Sequence, residues 1–67
     1  MNAGKQFRLM RESQNLSRKE LANKAGVSPS TLVKLELDTT TPSAYTLFRL
    51  AQALGVDELA LIKIFYN

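Results

Sequence analysis

The side chains able to do chemistry in this 67-residue chain are of few kinds. It has nine Lys or Arg, six Asp or Glu, and no His or Cys, for a formal net charge of +3. Without His or Cys, the usual zinc ligands, the commonest general base and the thiol nucleophile are all missing. Ser28 and Ser30 have no partner base to activate them. Asp57 and Glu58 are adjacent, and a helix start explains them better than a metal does. No glycine-rich loop of the phosphate-cradling kind occurs. The expectation is therefore a non-enzyme with no cofactor, no metal and no small-molecule ligand. What remains is recognition by charge, hydrogen bond and shape. The basic balance leans toward an anionic partner.

The elements that must position those groups centre on Ser17–Leu37, SRKELANKAGVSPSTLVKLEL. Ser17 followed by Glu20 is a capping box, in which each side chain satisfies a free backbone amide at the other residue. Leu21, Ala22 and Ala25 put apolar groups on one face of that helix. Gly26 supplies a left-handed residue to end it. Ser28 then caps a second helix with Pro29 at its first position, where the missing N–H costs nothing. Leu32 and Leu35 point inward, with Thr31 beside them. Ser30, Val33, Lys34 and Leu37 point elsewhere. The pattern is a helix–turn–helix.

Around it, Gly4–Gln14 reads as a first helix with Phe7, Met10 and, one turn further on, Gln14 on its inner edge and Arg8, Arg11 and Glu12 on the outer one. Asn15 breaks it, since Asn tolerates a left-handed turn, and Leu16 is expected to be buried. Asp38–Pro42 is a polar loop. Thr41 or Ser43 caps a fourth helix with Pro42 at its start, carrying Tyr45, Leu47, Phe48, Leu50, Ala51 and Leu54 until Gly55. Asp57 caps a fifth element, Glu58 to about Tyr66. The fold class is all-α, a compact bundle of five short helices in a single domain, 1–67. No apolar run approaches the ~18–20 residues that cross a bilayer, and Met1–Lys5 starts no secretory signal. A cytoplasmic setting is expected, and no membrane partner.

The tail 58–67 has more apolar groups than one helix face can hide. Leu59, Ile62 and Tyr66 form one stripe and Leu61, Ile64 and Phe65 another. One stripe closes the core; the other is a dimerisation patch, expected at Leu61, Ile64 and Phe65. Leu61–Tyr66 is also rich in β-formers, and a strand paired between subunits is the alternative to a helix.

The runs LSRKELANKAGVSPSTLVKLE and TPSAYTLFRLAQALGV resemble the helix-turn-helix family of phage repressors, Cro proteins and Xre-like bacterial regulators. The likeness extends from Phe7 to about Leu61 with the family's spacing throughout, and it implies a lambda-repressor-like DNA-binding fold. It also implies a sequence-specific regulator of double-stranded DNA, a homodimeric repressor on a palindromic operator, bacterial or phage-encoded and nucleoid-associated. By this resemblance, base contacts fall at Pro29, Ser30, Val33 and Lys34 of helix 28–37. Phosphate contacts fall at Arg18, Lys19, Ser28, Thr39 and Thr40. A buried structural ion pair joins Arg11 to Glu36.

The chain departs from the family pattern in two places. The recognition positions usually hold Gln, Arg, Asn or Lys, which discriminate bases by paired donors and acceptors. Here Pro29 and Val33 offer only CH groups, to a thymine methyl or to nothing, with packing under the first helix of the motif as the other reading of Val33. Ser30 discriminates weakly, and Lys34 alone donates strongly. After Glu36, Leu37–Thr41 replaces the family's Asn-Gly and following cations, and Asp38 would repel a phosphate. A protein-interaction module, or an antitoxin-type partner-binding domain with a weakened DNA face, is thus the alternative function.

Overall fold

Most of the helix starts are set by a local hydrogen bond that the residue type supplies. The computed structural model describes residues 3–66, in the order α1 (Ala3–Ser13), α2 (Arg18–Ala25), α3 (Pro29–Glu36), α4 (Ala44–Leu54) and α5 (Glu58–Phe65). Met1, Asn2 and Asn67, at the ends of the expected domain and tail, lie outside the described residues. Ser17, Ser28, Ser43 and Asp57 cap α2 to α5, each accepting from an amide of the first turn. Ser43, not Thr41, caps α4, and Pro42 precedes the cap as a buried residue. Gly26 and Gly55 end α2 and α4 at φ of 73° and 69°. Asn15, at φ 58°, turns the chain after α1. Gln14 falls just outside α1 and donates its side-chain amide to Leu54 O at 2.7 Å, satisfying an end of α4.

The core gathers Phe7 from α1, Leu21 from α2, Leu32 and Leu35 from α3, Leu50 from α4 and Leu61 from α5, all fully buried. Burying each of these is worth roughly 1.5–3 kcal/mol. Leu16 is half-buried and packs against this cluster. Helix α3 is held between α1 and α2, while α5 closes the far side over α1 and α4.

Two expectations about apolar faces are corrected. In α4, Leu47, Leu50, Ala51 and Leu54 form the buried set at helical spacing, joined by Ala53. Tyr45 and Phe48 fall outside that arc and are exposed. In α5 the stripes are exchanged. Leu61 and Phe65 belong to the core, where the Phe65 ring packs on Phe7 at 5.6 Å and 55°, and Ile64 is half-buried against them. They are therefore not an open dimer patch; Leu59, Ile62 and Tyr66 are the exposed apolar groups. The segment is a helix and not a strand, because its i, i+4 pair Leu61–Phe65 completes the core.

The start of α1 abuts the end of α3. Gly4 N–H donates to Asp38 Oδ1 at 2.8 Å, with Asp38 itself left-handed at φ 60°. A Cβ at Gly4 would lie 2.7 Å from Leu35 O and closer still to Glu36 O. In an open helix, Gly→Ala gains about 1 kcal/mol. Here Gly4→Ala is expected to lose about 1–3 kcal/mol by overpacking. Thermal unfolding checks the sign: a rise in Tm would show that α1 does not press on α3.

Candidate nucleic-acid interface

The capping box at the start of α2 forms in both directions. Glu20 N–H donates to Ser17 Oγ at 3.0 Å, and Ser17 N–H donates to Glu20 Oε1 at 2.8 Å. The Ser17 amide, and then its hydroxyl, hold the Glu20 carboxyl below its usual range. This fixes the first turn of α2, and with it Arg18 and Lys19, both exposed.

The turn to α3 is held from both sides. The amides of Gly26 and Val27 both donate to Ala22 O. Arg49 of α4 reaches across to donate its Nε to Ala25 O at 2.8 Å, a cation on the carbonyl end of α2. Its guanidinium would collide with a Cβ at Gly26. Arg49 has no local sequence signal, since its partner lies 24 residues away.

On α3, Leu32 and Leu35 anchor the inner face. Pro29, Ser30, Val33 and Lys34 all stand exposed on the outer one, so Val33 is not packed under α2. The four expected base-contact residues are thus brought together on one open surface. The hydroxyls are already engaged locally. Ser28 Oγ accepts from Thr31 N–H at 3.3 Å and lies 3.0 Å from Ser30 Oγ. Thr39 donates its hydroxyl to Lys34 O at 3.0 Å and Thr40 its own to Thr41 O at 3.4 Å. Of the expected phosphate contacts, then, Ser28, Thr39 and Thr40 direct these bonds to their own backbone or to neighbouring side chains. The Asp38 carboxylate is turned to the Gly4 amide.

Beneath the open surface sits a charged cluster. Arg11 Nε and Nη2 donate to the two Glu36 carboxylate oxygens at 2.7 and 3.3 Å, and Nη1 donates to Leu16 O at 2.7 Å. The Arg11 and Glu36 side chains are almost wholly buried, at 8 % and 3 % exposure. This is the ion pair that the family resemblance implied, and it draws Arg11 inside, correcting the outer-edge position expected for it on α1. Arg18 adds a contact not foreseen, its Nε donating to Glu36 Oε1 at 2.9 Å. Its side chain remains 47 % exposed. One carboxylate thereby ties α1, α2 and α3 together while leaving a cation at the rim.

The comparisons agree with this geometry. A family model described as helix-turn-helix matches residues 7–61. An uncharacterised HTH-type transcriptional regulator of Sinorhizobium fredii is 36 % identical over 59 residues, covering 88 % of this chain and 77 % of its own. The immunity repressor of Bacillus phage phi105 is 36 % identical over 62 residues, covering 92 % of this chain, which spans only 43 % of that repressor. Among solved structures, SinR of Bacillus subtilis in complex with DNA superposes with a TM-score of 0.83 at 33 % identity, over 90 % of this chain and 97 % of the other. The chain belongs to the helix-turn-helix family of transcriptional regulators.

Proposed function

We propose that this chain is a DNA-binding transcriptional repressor that works as a homodimer, each copy laying α3 in the major groove of a palindromic operator. The observation that carries the reading is the outer face of α3, where Pro29, Ser30, Val33 and Lys34 lie open while Leu32 and Leu35 fix the helix below. With its side chains a helix is about 10–12 Å across, and the major groove is about 12 Å wide. In this pose α2 lies across the backbone, with Arg18 and Lys19 at its positive end facing phosphates. SinR, of the same fold and solved on DNA, supports the pose. The protein's place of action is then the nucleoid, and the reading includes no catalytic step.

Lys34→Ala and Arg18→Ala are each expected to weaken duplex binding and to reduce the log–log salt slope by about 0.9 for each phosphate that the variant no longer neutralises. Titration of a labelled duplex at several salt concentrations checks this. Unchanged affinity and slope for both variants would contradict the docking.

Paired half-sites about one DNA turn apart need two recognition helices. The surface that suits a second copy is the exposed side of α5, Leu59, Ile62 and Tyr66. Ile62 and Tyr66 also line a groove of ≈ 470 Å³ together with Ala44, Leu47 and Glu58. Ile62→Asp is expected to give a folded monomer by sedimentation, with operator affinity reduced by about 10²–10⁴ through loss of bivalency. A dimer that survives Ile62→Asp would place the interface elsewhere.

The competing reading is a partner-binding module without DNA. SinR was also solved in complex with the SinI protein, at 33 % identity to this chain. That reading predicts no duplex binding, with α5 substitutions abolishing a protein complex.

A further inference from the structure

The outer face of α3 is unusual in what it offers a base edge. Pro29 carries no N–H, Val33 follows one turn later, and Leu37, a further turn on, caps the helix and is 67 % exposed. Ser30 lies between them with its Oγ 3.0 Å from Ser28 Oγ, so its hydroxyl is shared with the helix cap. Lys34, beside Val33, is the one cation on this face. The surface is thus a stripe of CH groups with a single ammonium beside it.

Base edges in the major groove present one apolar group, the C5-methyl of thymine. Cytosine lacks it and 5-methylcytosine regains it. A CH stripe with one cation beside it, laid on an otherwise polar, anionic duplex, has only that group to bury. We propose that Val33, with Pro29 and Leu37 on either side, reads pyrimidine C5-methyl groups, so that thymine is preferred in the half-site and 5-methylcytosine substitutes for it. The proposal rests on the DNA-binding reading above. It assigns specificity to methyl contact, where most recognition helices use paired hydrogen bonds. A repressor so built would respond to cytosine methylation of its operator.

The test uses one 20-base-pair duplex recovered by selection from random DNA, remade in three forms. In the first, each thymine in turn becomes uracil, which removes the methyl and leaves the hydrogen bonds intact. In the second and third, the same pair becomes cytosine–guanine or 5-methylcytosine–guanine. For at least one position per half-site, uracil is expected to weaken binding about fourfold, the value of burying one methyl-sized group. At that position the 5-methylcytosine form is expected to bind about fourfold tighter than the cytosine form. Val33→Ala is expected to bind thymine and uracil forms alike, with its melting temperature near that of the parent because Val33 lies outside the core. Equal binding of all forms by the parent protein would overturn the proposal in favour of shape readout. So would a Val33→Ala variant that keeps the full discrimination. Failure to bind any form would overturn the DNA reading itself, and this proposal with it.

Discussion

Arg11→Ala is expected to lower stability by about 3–5 kcal/mol, a loss as large as that of a core side chain. The reason is the state of the partner left behind. The Glu36 side chain is 3 % exposed and receives two charge-assisted bonds from Arg11, while the third Arg11 bond satisfies Leu16 O. Removing the guanidinium strands a carboxylate that water cannot reach. Arg18 still donates to Glu36 at 2.9 Å, but a half-exposed arginine offsets only about 0–1 kcal/mol. A domain of this length holds roughly 3–10 kcal/mol in total, so the variant should be largely unfolded at moderate denaturant. Urea denaturation reads the loss. Arg11→Met combined with Glu36→Leu should recover much of it, since an apolar pair of similar volume leaves no charge buried. A loss below about 1 kcal/mol for Arg11→Ala would show that Glu36 is not held as described.

Val33→Glu is expected to abolish operator binding, by a hundredfold or more, while leaving the fold intact. Val33 is 36 % exposed on the outer face of α3, so a longer polar side chain meets solvent and not the core. Glu is also a better helix former than Val. In the groove the added carboxylate faces phosphates and base acceptors, and a like-charge contact at an interface costs several kcal/mol. About 2.8 kcal/mol corresponds to a hundredfold in affinity. The contrast with Arg11→Ala is the informative part: one variant unfolds, and the other melts like the parent yet loses DNA. If Val33→Glu kept parental affinity, the DNA face would not be α3.

What the sequence made legible was local. Ser17 with Glu20, Gly26, and Ser28 with Pro29 each act within a turn of the chain, and each forms the cap its residue type dictates. The Arg11–Glu36 pair became visible through resemblance, because 25 residues separate its members and no periodicity joins them. The bonds that went unseen are of that same kind. Gly4 to Asp38, Arg49 to Ala25 and Arg18 to Glu36 are separated by 34, 24 and 18 residues. The faces of α5 were misassigned for a different reason. Nearly every position from Leu59 to Tyr66 is apolar, so the hydrophobic pattern has no contrast from which to read a buried side. The packing of Phe65 on Phe7, a tertiary event, decides it. Exposure of Ser30, Val33, Lys34 and Leu37 was foreseen because Leu32 and Leu35 leave them no other side of the helix, whereas Pro29 joined that face only through the resemblance.

The measurement that bears most directly on the account is a selection from random duplex DNA with the purified protein at moderate salt. The account predicts enrichment of a two-fold symmetric sequence with half-sites about one helical turn, roughly 10 base pairs, apart. It also predicts loss of that enrichment in Val33→Glu. Retention of no duplex by a protein shown to be folded would contradict it, and would turn attention to the exposed side of α5 as the surface that serves a protein partner.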